Sequence, residues 1–542
     1  MKINNRIKTY LKLAVALCCM GSAFSCSNNL DEKVFSSVTE QTYNYTTEDF
    51  IPTIASVYSY FRFIRHDKYW ATQEISTDAI VMPPNSSGWD DGGTYRMLHY
   101  HKWTSEQQHV KDMWDSFYKG VVLCNIVLAQ IEAGILPAPS DAVRQAGIAE
   151  LRAVRAYYYW LICDNFGDAP LFSEPITELP GKSTRKEIFD FIVGELQAVI
   201  PSLDEAQNAN TYGRINKWAG KALLANIYLN GEVYTGTSYW NECIAQCDDI
   251  INSGKCALSP NYSDPFRATG TENSPEILFT VPFDQTLAGG QCIHMFSWHG
   301  ELQKKFNLEA TPWGSGSAMA ITQFVDTYDE NDTRLQDTWL MGEQYAADGT
   351  LLLCTYDKKG EPLSYQKDVL SGHYTNETDG YRMNKFEVAE RTSGDSKTDF
   401  PLSRYSEVLM MKAECLLRTG QSGAGALVTQ VRQRNFKENP SLATVTDDQL
   451  KGNTSYKYGF VENYKIVNPG NTDPVQYGRL LDELGWEFVW EMHRRRDMIR
   501  FGVYTKKSWL SHEPQGDYRT VFPIPEAALT SNPNLTQNPD YK

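Results

Sequence analysis

The chain has 542 residues, with 51 Lys and Arg against 67 Asp and Glu, 42% hydrophobic residues and a 12% aromatic share. Length and apolar content suffice for a large folded core and exclude a disordered, collagen-like or coiled-coil chain. A net charge of −16 excludes nucleic acid as a partner, because that affinity rests on cations neutralising phosphates.

Lys2, Arg6, Lys8 and Lys12 form a basic head before the apolar run Leu13 to Phe24. A bilayer span takes about 20 apolar residues, so this shorter run fits a signal peptide over residues 1–25. Ala23-Phe24-Ser25-Cys26 is similar to a bacterial lipoprotein box, with Ala in place of the usual Leu at its first position. It marks Cys26 for acylation as the mature N-terminus; an ordinary secretory signal is the alternative. Removing the signal takes four positive charges from −16 and leaves −20. No later stretch reaches 18 apolar residues, so the expected membrane attachment is lipid rather than helix. The eight Cys beyond residue 26 are too scattered for a disulfide scaffold. Cys243 and Cys247 lack a second pair for a metal site and read as buried apolar groups.

The first long helix is expected from near Asp112, where Trp114, Phe117, Val121, Leu128 and Ile131 recur at helical spacing, to Gly134 and Pro137. A second starts at Ser140-Asp141 and stops at Phe166-Gly167-Asp168-Ala169-Pro170. Further helices are expected from Ser183 or Thr184 to Ile200, Ile215 to Leu229 and Ser238 to Ile251, and Ala219, Ala222 and Ala225 permit close packing. Between about 259 and 399 the composition turns to Gly, Pro, Asn, Asp and aromatic residues, with short β-rich pieces such as Ile277 to Val281. Helices resume at Phe400–Thr419, Ser422–Arg434 and Tyr477–Phe501, the last with Leu480, Leu484, Phe488 and Met492 on one face and Glu491 four before Arg495. The fold expected is mainly α: a tetratricopeptide-like helical-hairpin scaffold over about 40–258 and 400–542, interrupted by a loop-rich insertion over about 259–399, all in one domain spanning 26–542.

In order along the chain come Cys26, Trp114-Asp115-Ser116-Phe117-Tyr118, Glu150-Leu151-Arg152-Ala153 with Tyr157-Tyr158-Tyr159, Phe166 to Leu171, Gly213 to Ala219 and Ser274 to Phe279. Asp399 to Tyr405, Ala413-Glu414, Phe522-Pro523-Ile524-Pro525 and Asn532 to Pro539 complete the set. This concordant series resembles the SusD/RagB outer-membrane lipoproteins. Glu483-Leu484 and Glu491-Met492 depart from the family's usual Glu-Arg and Glu-Gly. The resemblance implies a SusD-like fold and a lipid-anchored protein on the cell exterior that hands nutrient to a SusC-like TonB-dependent transporter. Arg152, Arg155 and Asp168 are expected to pair and cap helices within that fold.

A glycan site needs flat aromatic platforms flanked by carboxylate, amide and guanidinium groups. Two segments carry that mixture, Tyr69 to Trp103 and His294 to Gly316; in SusD-like proteins these regions meet a stretch comparable to Gly380-Tyr381-Arg382. Trp89, Trp298 and Trp313 are the expected stacking rings, Tyr95 a secondary platform, and Asp78 and Arg382 the hydroxyl binders, whereas Trp114, Trp160, Trp218 and Trp486 belong to helix cores. No cofactor or catalytic residue is assigned. Gly314 to Ala318 lacks a serine-esterase elbow, and Gly181-Lys182-Ser183 lacks the first Gly of a phosphate loop. Asp326, Asp329, Asn331, Asp332 and Asp337 read as a solvated turn rather than a calcium loop. His99 and His101 would share a strand face, but without a third ligand they read as polar loop residues. A surface glycoside hydrolase and a peptide-binding helical-repeat receptor are the alternative functions.

Overall fold

The computed structural model describes residues 43–64 and 68–541; the signal peptide and Cys26 lie outside them. Five long helices build the N-terminal scaffold: α1 (Gln108–Glu132), α2 (Asp141–Phe166), α3 (Arg185–Val199), α4 (Lys217–Leu229) and α5 (Trp240–Ser253). Their starts are set by polar caps. Ser140 accepts the Val143 N–H, Thr184 and Glu187 form a reciprocal capping box, and Asn216 accepts from Trp218 and Ala219. The helices pack α1 on α2, α2 on α3 and α4 on α5. At the first contact a Cβ on Gly120 would lie 2.4 Å from the Tyr158 ring, so only glycine lets the two helices approach. Trp114, Trp160, Trp218 and Trp486 are buried as expected.

Strand β1 (Ile277–Val281) pairs antiparallel with β2 (Phe400–Arg404), closing the base of an intervening segment that holds only short helices and two-residue strands. Beyond it, α6 (Tyr405–Arg418) packs on α5 and on α7 (Ala424–Gln433); α8 (Gly478–Phe488) and α9 (Arg494–Arg500) follow. The protein is mainly helical, 43% helix against 9% strand. No helix among the described residues is long and apolar enough to cross a membrane.

Two helix expectations need correction. Phe400 to Arg404 is a strand, because β1 offers its backbone an antiparallel partner. The expected helix Tyr477–Phe501 is broken over residues 489–493, where Trp490 (φ 75°) and Met492 (φ 68°) take left-handed conformations. Glu491 therefore turns away from Arg495, which meets Asp164, and reaches Arg404 and Lys385. The motif residues behave as scaffold: Arg152 and Arg155 both bind Glu195 of α3, and Asp168 accepts the Arg185 N–H.

A buried ion network joins scaffold to insertion. Glu276 of the β1 approach receives Arg404 (2.7 Å) and Arg434 (2.6 Å); Glu487 of α8 receives Arg434 (2.6 Å), Arg404 (3.1 Å) and Arg334 (3.4 Å). Glu483 binds Arg334, Arg432 and Arg479, while Lys385 donates to Glu491 and to the Glu487 and Val489 carbonyls. Asp332 is fully buried on Arg334 rather than solvated as expected. Burial alone would push the Glu487 carboxyl up, but Arg434, Arg404 and Arg334 outweigh it and hold the group down at about 2.

Removing one charge from such a set leaves the others uncompensated. Glu487→Gln, which keeps the shape, is expected to cost about 3–5 kcal/mol of stability, measured as a lower urea midpoint. Because the folded-state value lies below the ordinary 4.5, the Glu487 contribution is complete above that pH and is lost as pH falls through about 2. The acid limb of the stability curve should therefore flatten in the variant.

Candidate functional site

The segment following Asp78 and the loop preceding Met319 are tied by the two-residue pairing of Ile80–Val81 with Met319–Ala320. Farther along, the Asn85 amide donates to the Gly316 carbonyl (3.2 Å) and to Ser317 Oγ, and Asn85 also bridges to Thr375. Gly88 N–H bonds Asn85 O, and Asn85 N–H bonds Trp89 O, a turn that fixes Trp89. On the facing loop, Trp313 N–H donates to Met295 O, and the Ser317 and Ala318 N–H groups both donate to Phe296 O. Gly316 sits at φ 71°, with a notional Cβ 2.3 Å from Ser297 O; both facts require glycine there.

These ties assemble a continuous row of rings. Trp89 and Tyr95 lie 5.9 Å apart between centroids, Tyr95 and Phe296 6.4 Å, and Phe296 and Trp313 4.5 Å with planes near perpendicular. Trp313 is 50% exposed and Trp89 half-buried; Tyr95 is buried against His109 and backs the row. Asp91 organises the near edge. Its carboxylate accepts the Gly93, Tyr95 and Arg96 N–H groups and the Arg96 Nε–H, all at 2.8 Å, and thereby caps the short helix Thr94–His99. Arg96 reaches on to Asp90, so guanidinium and carboxylate stand together beside the rings. The arrangement can stack the apolar faces of a hydroxylated chain and bind its edges.

The structure thus brings Trp89, Tyr95 and Trp313 together and takes the other three candidates out of reach. Trp298 is 1% exposed, stacked on Phe306 at 4.1 Å, with its indole N–H given to Met383 O (2.6 Å). Asp78 is fully buried in a two-bond pair with Arg494 (2.7 and 2.9 Å) and accepts from Tyr458. Arg382, also buried, donates to the Gly380 (2.8 Å) and Asp379 carbonyls and lies over the Tyr365 ring. Asp78 and Arg382, so fully engaged, cannot contact a ligand without breaking the fold, and Trp298 lies outside the row. His99 closes a helix rather than lying on a strand, and His101 (φ 52°) packs its ring 4.1 Å from that of His512. Among the described residues no three His, Cys, Asp or Glu side chains converge as a metal site.

Phe296 is the ring that sequence reasoning missed. It lies in the recognised segment His294 to Trp298, but the short helix Ile293–Ser297 ends there and Trp298 becomes extended (ψ 142°). The chain turns between the two rings, and no periodicity announces which of them faces out.

Two family models divide the chain. Residues 275–541 match the SusD family, and residues 30–229 match a model described as starch-binding associating with outer membrane. Starch-binding protein SusD of Bacteroides thetaiotaomicron is 26% identical over 517 residues, covering 86% of this chain and 84% of that protein. The solved surface glycan-binding protein A of the same organism superposes with a TM-score of 0.70 at 20% identity, over 92% of this chain and 100% of the other. A complex titled surface glycan-binding protein A with laminarihexaose gives 0.68 at 18%, over 91% and 99%. Matched along both halves of its length and sharing the fold throughout, the chain belongs to the SusD family.

Proposed function

We propose that this protein is a non-catalytic, lipid-anchored receptor on the outer face of the outer membrane that captures a glycan and passes it to a SusC-like TonB-dependent transporter. The observation that carries the reading is the ring row ending in the half-exposed Trp313 and the half-buried Trp89, held by backbone bonds rather than by a ligand. Rings fixed in advance cost little ordering entropy when a sugar stacks on them. The printed names of relatives, starch-binding for one and bound to laminarihexaose for another, agree with a saccharide ligand. A hydrolase needs one carboxylic acid and one carboxylate flanking the scissile bond. Here Asp91 is spent on four N–H groups and Asp90 on Arg96, which favours binding without cleavage. Outer-membrane association accords with the description of the N-terminal family model, and the transfer step follows from the family resemblance.

Trp89→Ala and Trp313→Ala should each weaken retention in starch- or laminarin-containing native gels by about 1–2 kcal/mol, five- to thirty-fold, while circular dichroism stays unchanged. Unaltered retention in both would remove the site, and release of reducing ends by purified protein would remove the non-enzymatic assignment. Asp91→Ala leaves every ring in place but unties the capped turn. It is expected to cost about 1–2 kcal/mol in thermal unfolding and to loosen retention as well. Cys26→Ser should shift the protein from the membrane fraction to the soluble fraction and abolish incorporation of a labelled fatty acid.

A further inference from the structure

A wide cavity lies away from the ring row. A cleft of about 510 Å³ is lined by Trp298, Phe306, Phe386, Lys305, Asp337 and Asn384, with none of Trp89, Tyr95 or Trp313 among its walls. That volume falls within the roughly 300–1,000 Å³ of small-ligand sites. Its aromatic wall is rigid. The half-buried Phe306 stacks face to face (12° between planes) on Trp298, whose own indole N–H is fixed on Met383 O.

Polar groups of both signs stand around that wall, among them Arg267, Lys305, Asp337, Asn384, Glu387 and Glu390. Lys305 Nζ holds only the Gln344 side-chain oxygen (3.0 Å), and no carboxylate lies within ion-pair distance of it among the described residues. Burial lowers its pKa with no compensating acid. Asp337, also half-buried, makes no ion pair among the described residues, and burial, then the charge of Asp332, raises its pKa. Asn384 gives its amide N–H to Gln336 O (2.9 Å), and its side-chain oxygen takes no hydrogen bond from the described residues. Lys305, Asp337 and Asn384 thus line a common space beside an apolar ring without closing on each other, and Arg267, Glu387 and Glu390 add charges of both signs to its walls. A charged ligand would satisfy Lys305 and oppose Asp337, or the reverse. A neutral ring with several hydroxyls and an apolar face suits them all, donating a hydrogen bond to Asp337 and accepting one from Lys305.

From this geometry we propose that the Phe306 cleft is a second saccharide site, separate from the ring row, that takes a single neutral hexose or the end residue of a chain. It rests on the glycan reading only for the class of molecule, and the two sites can fail separately. The experiment is a calorimetric titration of purified protein with glucose, galactose, mannose, xylose and N-acetylglucosamine, with glycine and glutamate as zwitterionic and acidic comparisons. At least one neutral sugar should bind; Phe306→Ala and Asp337→Asn should weaken it tenfold or more, and Trp89→Ala and Trp313→Ala should change it less than twofold. The same Phe306→Ala and Asp337→Asn variants should keep full retention in polysaccharide gels. Circular dichroism and melting curves confirm that they fold. No sugar binding, binding indifferent to Phe306 and Asp337, or binding of the amino acids alone would overturn the second site while leaving the ring row intact. Loss of retention in the Trp89 and Trp313 variants tests that row independently.

Discussion

The buried set of Glu276, Glu483, Glu487 and Glu491 with Arg334, Arg404, Arg434 and Lys385 is the constraint on which the rest of the architecture depends. Charges withdrawn from water are costly one at a time, and their mutual attraction offsets that cost only when every one is paired. Its members come from six stretches: Glu276 from the entry to β1, Arg334 and Lys385 from the insertion, Arg404 from β2, Arg434 from the end of α7, Glu483 and Glu487 from α8, and Glu491 from the break that follows it. The insertion cannot swing away from the scaffold without exposing a buried charge to a partner it no longer has. Specificity of docking, rather than net stabilisation, is what such a network supplies.

That docking sets the site. With Lys385 and Arg334 fixed, the segments flanking them hold the loop that carries Phe296 and Trp313. The Asp78–Arg494 pair anchors the segment that runs on to Trp89. Asn85 then joins the two. Buried ions fix segments, backbone bonds fix loops, and the loops fix rings. A platform built this way is preorganised, so little of its contact energy is lost to ordering when a ligand arrives.

Helices were legible in the sequence wherever a 3.6-residue period met a recognisable cap, as at Ser140, Thr184 and Asn216. The segment carrying the site was legible by composition, because an aromatic, glycine-rich stretch with few periodic signals is recognisable without knowing its path. What composition could not resolve was direction. Trp298 and Phe296 are two positions apart, and only the end of a short helix decides that the larger ring goes inward. Asp78 and Arg382 read equally well as sugar-binding polar groups or as internal ties, since sequence shows the charge and hides its partner 416 residues away in the case of Asp78. The break at 489–493 was hidden for a related reason: a strong helical pattern on both sides continues through residues whose conformation is dictated from elsewhere.

At that break two buried acids, Glu74 and Glu491, serve different ends. Trp490 and Met492 adopt conformations that side-chain-bearing residues resist, and such strain persists only where surroundings over-determine it. Trp490 stacks on Trp70 at 5.5 Å, nearly parallel, and the Met492 N–H is accepted by the buried Glu74 at 2.6 Å. Burial pushes the Glu74 carboxyl up to about 8, against the smaller pull of those backbone bonds. An acid whose pKa burial raises can cap the strained turn with less tendency to add another charge to a crowded interior. Glu491, two positions from Trp490's neighbour Val489 and presented by the same turn, instead stays among cations and completes the network at Arg404 and Lys385. Had the helix continued, Glu491 would have been carried past Arg404 and that guanidinium left short of a carboxylate. The strain is thus the local cost of a long-range requirement, and the bond from the Met492 N–H to Glu74 offsets part of it.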